Sequence, residues 1–238
     1  MEITRARPSL YGEIAHGLGF WTDRSAVHEA AAQGRVTELQ QLIEGGAAVN
    51  IVAVDSITPL HEVDARNIDG STPLCDACSA GNSECVQLMI DQGGFMEAHD
   101  CHYGTPLHVA CARQHYDCAK VLLNAGANVN AAKLHETALH HAAKTKNIDL
   151  IELLVEFGAN VCARDNLNKK PIQYTSHGSP SYLCLEFYEN SPLSLQQISR
   201  VAVRKALGTR ACKGVSKLGL PKRIVSFLSY KPPPIFES

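Results

Sequence analysis

The sequence predicts an all-α protein in which helix–turn–helix–loop units stack into a solenoid, with a small helical module after the last unit. Three observations predict this architecture. A short motif recurs about every 33 residues, a glycine-containing turn closes each copy, and the period fails after Lys170, where a different amphipathic pattern begins. One unit is too small to bury its own apolar face, so neighbouring units must share a continuous core.

The composition bounds the class of protein. The chain has 238 residues, of which 45% are apolar, and a formal net charge of -2. This charge gives no general attraction to nucleic acid or to an anionic membrane, and no segment approaches the roughly 20 apolar residues that span a bilayer. No secretory signal is visible, so we expect a cytoplasmic or nuclear location and nine reduced cysteines.

The recurring motif supplies the element boundaries. Five copies share a threonine or serine, a small residue or proline, and a following apolar residue: SAVHEAA at 25–31, ITPLH at 57–61, STPLCDA at 71–77, GTPLHVA at 104–110 and ETALHHA at 136–142. KKPI at 169–172 keeps the phase with a weaker match. Threonine suits a helix N-cap, and proline suits the first helical turn. Glycine-containing turns at 45–47, 93–94, 126–128 and 158–160 end the second helix of each unit.

These residues resemble the ankyrin repeat, whose signature is T-P-L-H-x-A at a period of 33. The resemblance implies that the histidine of the motif hydrogen-bonds to the backbone between neighbouring repeats. The histidines in this slot are His28, His61, His108 and His140.

One spacing departs from the period, because Thr58 and Thr72 are only 14 residues apart. Either a repeat has lost about 19 residues, or the first repeat stacks directly on the repeat that begins at Thr72 and roughly 14 residues loop out. We take the first as the origin and the second as the physical outcome. Residues 51–68 are therefore expected to be the least ordered internal segment.

The cysteine and histidine clusters do not indicate a metal or catalytic site. Cys75-x-x-Cys78 looks like half of a metal site, but Cys78 aligns with Cys111, and Cys85 with Cys118, in the repeat. Such cysteines serve as small apolar core residues. His99, His102 and His141 are free to be surface residues. No nucleophile–base pair or phosphate-binding loop stands out, so we expect a non-catalytic protein without a cofactor.

The projecting loops supply candidates for a substrate-binding face, because repeat arrays bind partners through loop tips and first helices. These loops mix charged, aromatic and apolar side chains, as protein interfaces do. The candidates are Asp69, Asp100, Tyr103, Lys133, Leu134 and Asp165.

Beyond the repeats, residues 180–188 supply an apolar cover through Pro180, Tyr182, Phe187 and Tyr188. A helix then carries one apolar stripe, at Leu195, Ile198, Ala202 and Ala206, and Ser194 is placed to cap it. A second short helix follows Leu220-Pro221. The stripe fits a groove-binding helix, and it also fits a simple apolar cap on the repeat core.

The pattern x-L-x-x-L-C-R-x-x-Φ-R followed by L-P-x-x-Φ-x-x-Φ-L resembles a SOCS box, and the chain is identified as a shortened member of the ankyrin repeat and SOCS box family. The resemblance implies an elongin-binding half at Leu195, Ile198, Ser199 and Val203, with Arg200 and Arg204 also matching the motif and Leu195 as the principal anchor. It implies a cullin-facing half at Leu220, Pro221, Ile224, Phe227 and Leu228. Ser199 replaces the usual cysteine, which weakens the expected elongin contact, and Arg223 replaces a second proline.

The resemblance implies a substrate-recognition subunit of an elongin B/C–cullin-5 RING ubiquitin ligase, which directs an unidentified protein to ubiquitination and proteasomal degradation. The alternative is an ankyrin adaptor with a degenerate box and no ligase role. The basic tail from Arg200 to Lys231 also fits a nuclear-import or nucleic-acid patch, but its spread over two helices favours docking of acidic partners. The predicted domains are an N-terminal extension at 1–21, about four to five repeats at 22–188 with an irregularity at 51–68, the SOCS box at 189–231 and a tail at 232–238.

Overall fold

The computed structural model describes residues 22–23, 26–50, 54–55, 71–99, 103–191, 193–207, 214–215, 217 and 219–229. Its helices form successive pairs, which confirms the predicted all-α solenoid. The pairs are α1 (Ala26–Ala32) with α2 (Val36–Glu44), α3 (Pro73–Ala80) with α4 (Ser83–Asp91), α5 (Pro106–Ala112) with α6 (Tyr116–Ala125), and α7 (Ala138–Lys144) with α8 (Ile148–Glu156). Within the described ranges, no helix is both long and apolar enough to cross a bilayer.

The stack continues into a 3-10 helix (Pro171–Tyr174) and α9 (Pro180–Asn190), and the C-terminal module contains α10 (Leu195–Leu207) and α11 (Lys222–Leu228). Extended structure in the described residues is limited to two antiparallel pairs. Strand β1 (Thr22–Asp23) pairs with β2 (Val54–Asp55), and β3 (Ala132–Lys133) pairs with β4 (Glu136–Thr137). The second pair projects between α6 and α7, and Leu134 and His135 turn it with positive φ angles of 50° and 67°.

The motif threonines and histidines start the first helices and join the repeats. The backbone N–H of Thr105 donates to Nδ1 of His108 at 3.2 Å, and Nε2 of the same ring donates to the carbonyl of Glu136 at 3.2 Å. His140 repeats this arrangement with Thr137 and with the carbonyl of Lys169. The predicted backbone bonds of these histidines are therefore confirmed, while His61 lies outside the described residues.

The first repeat packs directly on the repeat that begins at Thr72. Nε2 of His28 donates to the carbonyl of Ser71 at 3.1 Å, and the Asn82 amide donates to the carbonyl of Gly34 at 3.2 Å. These bonds span 43 and 48 residues in sequence, yet they join neighbouring repeats. The direct stacking predicted for these two repeats is confirmed. Apart from Val54 and Asp55, the segment 51–68 lies outside the described residues.

A second ladder of hydrogen bonds joins the loops, and the sequence analysis missed it. Asn50 Oδ1 accepts from the backbone N–H of Phe95 at 2.7 Å, and Asn130 Oδ1 accepts from that of Asn160 at 2.8 Å. Glu97 occupies the equivalent position in the repeat between them, and its carboxylate accepts from the backbone N–H of Asn128 at 2.8 Å. Because Asn50 makes the same bond as Asn130, the irregular junction has the chemistry of a regular one.

The core runs continuously through the repeats and contains leucines and small residues from every pair. Cys78, Cys85, Cys111 and Cys118 are each 0% exposed, which confirms their predicted role as core residues. Burial raises the pKa of Cys111 to about 12 and that of Cys118 to about 11, so these thiols are held un-ionised at neutral pH.

Candidate functional site

Helix α10 begins at a reciprocal cap. The Ser194 hydroxyl accepts from the backbone N–H of Gln197 at 3.3 Å, and the Gln197 side chain accepts from the backbone N–H of Ser194 at 2.9 Å. Two backbone donors at the helix start are thereby satisfied. The cap predicted at Ser194 is confirmed.

The helix orients its apolar stripe away from the repeats. Leu195 is 81% exposed and Ile198 is 50% exposed, whereas Arg200 and Arg204, one turn apart, are 8% and 7% exposed. Helices of globular proteins ordinarily bury the apolar face and expose the charged one. In the described structure the stripe therefore does not act as a cap on the repeat core.

Arg204 anchors α10 to two other helix ends. Its guanidinium donates to the carbonyls of Leu123 and Asn124 at 3.0 and 2.9 Å, and to the carbonyl of Leu228 at 3.0 Å. The first two carbonyls lie in the last turn of α6, and the third ends α11, so one cation meets the negative ends of two helix dipoles. The same guanidinium lies 5.2 Å from the centre of the Phe157 ring.

Arg200 joins α10 to α11, because its guanidinium lies 4.9 Å from the centre of the Phe227 ring. The resemblance placed Arg200 and Arg204 with the elongin-binding residues, but the structure turns both toward the protein. The signal that could have shown this was their spacing of four residues on the helix face opposite the apolar stripe.

The docking of α10 explains a glycine that the sequence analysis assigned only to a turn. Gly158 has a φ of +92°, and a Cβ added there would lie 2.7 Å from Cγ1 of Val201. The position therefore requires glycine both for its backbone angle and for the close approach of α10 to the end of α8.

The other predicted residues of the module differ in accessibility. Ser199 is exposed and donates its hydroxyl to the carbonyl of Leu195 at 2.8 Å, while Val203 is half-buried. Leu220 and Ile224 are 37% and 45% exposed. Pro221 is exposed and Phe227 is half-buried.

Leu228 requires a correction, because it is only 5% exposed and its carbonyl accepts from Arg204. It packs within the protein at the end of α11 and does not present a contact surface to a cullin.

On the repeat face, the projecting β3–β4 turn carries Leu134, which is 73% exposed, next to the half-buried Lys133. Tyr103 is half-buried, and its ring centre lies 5.7 Å from the Arg113 guanidinium and 6.0 Å from the His141 ring. Asp69 and Asp100 lie outside the described residues.

Asp165 requires a second correction, because it is 5% exposed and organises its own loop. Its carboxylate accepts from the backbone N–H groups of Leu167 and Lys169 at 2.8 and 2.9 Å and from the Tyr174 hydroxyl. Burial raises the pKa of Asp165, but these three hydrogen bonds outweigh it and lower the pKa overall. Both oxygens are engaged within the loop, so Asp165 is not a substrate contact.

His141, which the sequence left free to lie on the surface, is largely buried. Its side chain is only 13% exposed, and its ring centre lies 5.7 Å from that of His108. Burial and the neighbouring His108 lower the pKa of His141 to about 4, against the opposing effect of Glu136. The ring is neutral at pH 7, so its 3.6 Å contact with Glu136 is not an ion pair at that pH.

Comparisons with known proteins cover both parts of the chain. The family described as Ankyrin repeats (3 copies) matches residues 27–133, a single Ankyrin repeat matches residues 135–166, and the SOCS box matches residues 191–229.

The names of similar proteins describe the same two parts, ankyrin repeats and a SOCS box. Ankyrin repeat and SOCS box protein 13 of Mus musculus is 54% identical over 264 residues, covering 90% of this chain and 95% of the relative. The Homo sapiens protein of the same name is 53% identical with the same coverage, and ankyrin repeat and SOCS box protein 5 of Mus musculus is 32% identical over 281 residues. These alignments are longer than the 238 residues of this chain, so the relatives contain residues with no counterpart here.

The matches extend from the first helical repeat to the last helix of the C-terminal module, and one relative covers nearly the whole chain at more than half identity. The chain belongs to the ankyrin repeat and SOCS box family.

Proposed function

We propose that this chain is the substrate-recognition subunit of an elongin B/C–cullin-5 RING ubiquitin ligase. Membership of the family is consistent with a substrate-recognition adaptor of a cullin-RING ligase. In this proposal the module formed by α10 and α11 contacts the ligase, and the repeats hold the target protein. The chain itself is non-catalytic; it supplies proximity, which raises the effective concentration of the target at the ligase.

The observation that carries the proposal is the inverted amphipathicity of α10. Leu195, at 81% exposure, lies on a helix that is held in place by buried arginines on its other face. Burying one leucine side chain in a partner's groove contributes about 1.5–3 kcal/mol. A rigid helix that presents apolar side chains at i, i+3 and i+7 is a recurring mode of docking into a groove. We assign elongin C as the partner of this face.

Ser199 is compatible with burial in such a groove. Its hydroxyl already donates to the carbonyl of Leu195. Burying Ser199 in a partner's groove therefore leaves no hydrogen-bond donor unsatisfied. The replacement of the family's cysteine therefore has a small expected cost, and the alternative of a degenerate box does not follow from this residue alone.

The exposed residues at the start of α11 form the proposed cullin-facing half. Leu220, Pro221 and Ile224 are accessible, whereas Leu228 is withdrawn and Phe227 is partly covered by Arg200. We propose contact through the first three residues. The proposed location of the assembly is the cytoplasm, with the nucleus as a second site.

The test is co-expression with elongin B/C, followed by size-exclusion chromatography. Leu195→Asp should abolish co-elution. Leu183→Asp is the matched control, because Leu183 is 54% exposed on α9, outside the module, and its substitution should leave the complex intact. Adding cullin-5 should shift the complex further, and Ile224→Asp should prevent only this second shift. Absence of any complex with the folded wild-type chain would contradict the ligase role and leave the ankyrin adaptor.

A further inference from the structure

Aromatic rings and cations form a row across the faces of three successive repeats. We define the aromatic–basic row as Tyr103, Arg113, His141, Lys144, Lys169 and Tyr174. Arg113 lies 5.7 Å from the Tyr103 ring, whose centre is 6.0 Å from that of His141. Further along, the ammonium groups of Lys144 and Lys169 lie 4.8 and 5.4 Å from the centre of the Tyr174 ring.

Glu136 connects the two halves of the row. Its carboxylate accepts from Lys144 at 2.6 Å and lies 3.6 Å from Nε2 of His141. Through Glu136 the contacts of the row run without a break from the residues beside α5 to the 3-10 helix.

The row is positively charged at neutral pH. Its cations Arg113 and Lys169 are exposed, and among the described residues no carboxylate forms a salt bridge with either. The neighbouring carboxylates are engaged elsewhere. Glu136 bridges to Lys144, and Asp165 is buried in its own loop. Cations held over aromatic rings keep their charge for a partner while the rings fix their positions.

Two apolar side chains lie at the tips of the loops that carry the row. Leu134 is 73% exposed in the β3–β4 turn, and Leu167 is 64% exposed two residues before Lys169. Leu134 adjoins Lys133, whose Cβ lies 3.1 Å from where a Cβ on Gly104 would be. The surface therefore offers apolar contacts beside its cations, as protein interfaces do.

We propose that the aromatic–basic row recognises an acidic segment of the target protein, with Asp or Glu opposite Arg113 and Lys169 and apolar side chains against Leu134 and Leu167. The proposal rests on the proposed function, in which the repeats hold the target. Neighbouring helices pack roughly 10 Å apart, so three repeats span roughly 20–30 Å, the length of about nine extended residues.

The features of the row favour a polypeptide over a nucleic acid. A continuous polyphosphate would meet Glu136 in the middle of the row. The chain as a whole has a net charge of -2 and gives no general attraction to a polyanion. An acidic peptide can place a polar or apolar side chain opposite Glu136.

The chain contains a matched control for the charge. Lys120, on α6, lies 5.7 Å from the centre of the Tyr116 ring, whereas Lys169 lies 5.4 Å from that of Tyr174. Lys120→Glu and Lys169→Glu change the net charge equally and disturb the same kind of contact. Neither residue uses its side chain in the described hydrogen bonds of the repeats.

The experiment measures fluorescence anisotropy of a labelled peptide of about nine residues, made of Glu-Leu-Glu triplets, against the full chain. A peptide of Gln-Leu-Gln triplets is the uncharged probe. We expect the Glu peptide to bind and the Gln peptide to bind at least about tenfold more weakly. Lys169→Glu should weaken binding of the Glu peptide about fivefold or more, and Lys120→Glu less than about twofold.

Four results would overturn the inference: no binding of the Glu peptide, equal effects of Lys169→Glu and Lys120→Glu, loss of binding in Lys222→Glu on the basic module, or tighter binding of an oligouridylate of equal length.

The proposed ligase role is tested separately on the same proteins, since Lys169→Glu should still co-elute with elongin B/C. If the peptide binds but no elongin complex forms, the ligase role is contradicted and the proposed role of the aromatic–basic row stands. If the elongin complex forms but the peptide does not bind, only the proposed role of the row is contradicted.

Discussion

The helices of the repeats and helix α10 use their two faces in opposite ways. In α7, Leu139 and His140 are 0% exposed and face the neighbouring repeat. In α10, Leu195 and Ile198 are outside and two arginines are inside. Both helices lie against the same stack, but hydrophobic burial holds the first, and a guanidinium bonded to helix ends holds the second.

The apolar side chains of α7 contribute to the stability of the fold, whereas those of α10 are available to bind a partner. A helix that is held by buried apolar side chains has none to offer to a partner. Because Arg204 fastens α10 through carbonyls, the apolar stripe stays available, and the free chain exposes it until a partner covers it. Substitutions in the two regions should therefore affect different measurements.

The largest expected effect contrasts two leucines. Leu139→Ala removes a fully buried side chain and should lower the free energy of unfolding by about 2–5 kcal/mol. Leu195→Ala removes an exposed one and should change it by less than about 0.5 kcal/mol. Urea denaturation followed by circular dichroism measures both. Equal destabilisation by the two substitutions would show that the stripe of α10 supports the fold.

The next effect tests the anchor. Arg204→Ala removes the guanidinium that donates to three carbonyls and should cost about 2–4 kcal/mol. The measurement is hydrogen exchange, in which the amides of α10 and α11 should lose protection while those of α5–α8 keep theirs. Lys205→Ala, at the exposed neighbouring position, is the control and should leave exchange unchanged. Unchanged protection in both variants would contradict the assigned role of the guanidinium.

The repeat region should also respond to pH through His141. The unfolded chain takes up a proton near pH 6.5, whereas the folded chain does so only near the lowered pKa of about 4. The contribution of His141 to stability is thus present above pH 6.5 and falls as the pH drops toward 4, by on the order of 2–3 kcal/mol.

His141→Gln should flatten this part of the pH dependence in urea denaturation between pH 4 and 7. His177→Gln is the control, because His177 is exposed in the loop before α9. An unchanged slope in His141→Gln would show that the ring is accessible to protons in the folded chain.

The smallest effect concerns Ser199. Ser199→Cys restores the residue expected from the family and exchanges a hydroxyl bonded to the Leu195 carbonyl for a more apolar thiol. We expect the affinity for elongin B/C to rise about two- to fivefold, with unfolding unchanged. Titration calorimetry measures the change, and a drop in affinity would indicate that the hydroxyl itself contacts the partner.

The sequence was sufficient for features that depend on local spacing. The motif at a period of about 33 predicted the helix pairs, the histidine bonds and the buried cysteines, because each is repeated with the same neighbours. It also predicted that the first repeat packs on the one beginning at Thr72, since stacking uses the same contacts at every junction.

The sequence was insufficient where one element meets another at a single place. A stripe such as that of Leu195 and Ile198 ordinarily marks the buried face of a helix, so the pattern cannot tell which side of α10 meets the repeats. The burial of Leu228 follows from the position of Arg204, and that of Asp165 from a loop closed by Tyr174. Each of these contacts occurs only once among the described residues. No repeating sequence pattern could therefore have predicted it.

The most direct test of the account measures both quantities on one variant. Titration calorimetry of elongin B/C against the wild-type chain and Leu195→Ala gives the affinity, and urea denaturation of the same two proteins gives the stability. We predict a loss of affinity of about 30-fold, equivalent to about 2 kcal/mol, with an unchanged free energy of unfolding. Unchanged affinity, or a loss of stability of the same size, would contradict the account that α10 reserves its apolar face for a partner.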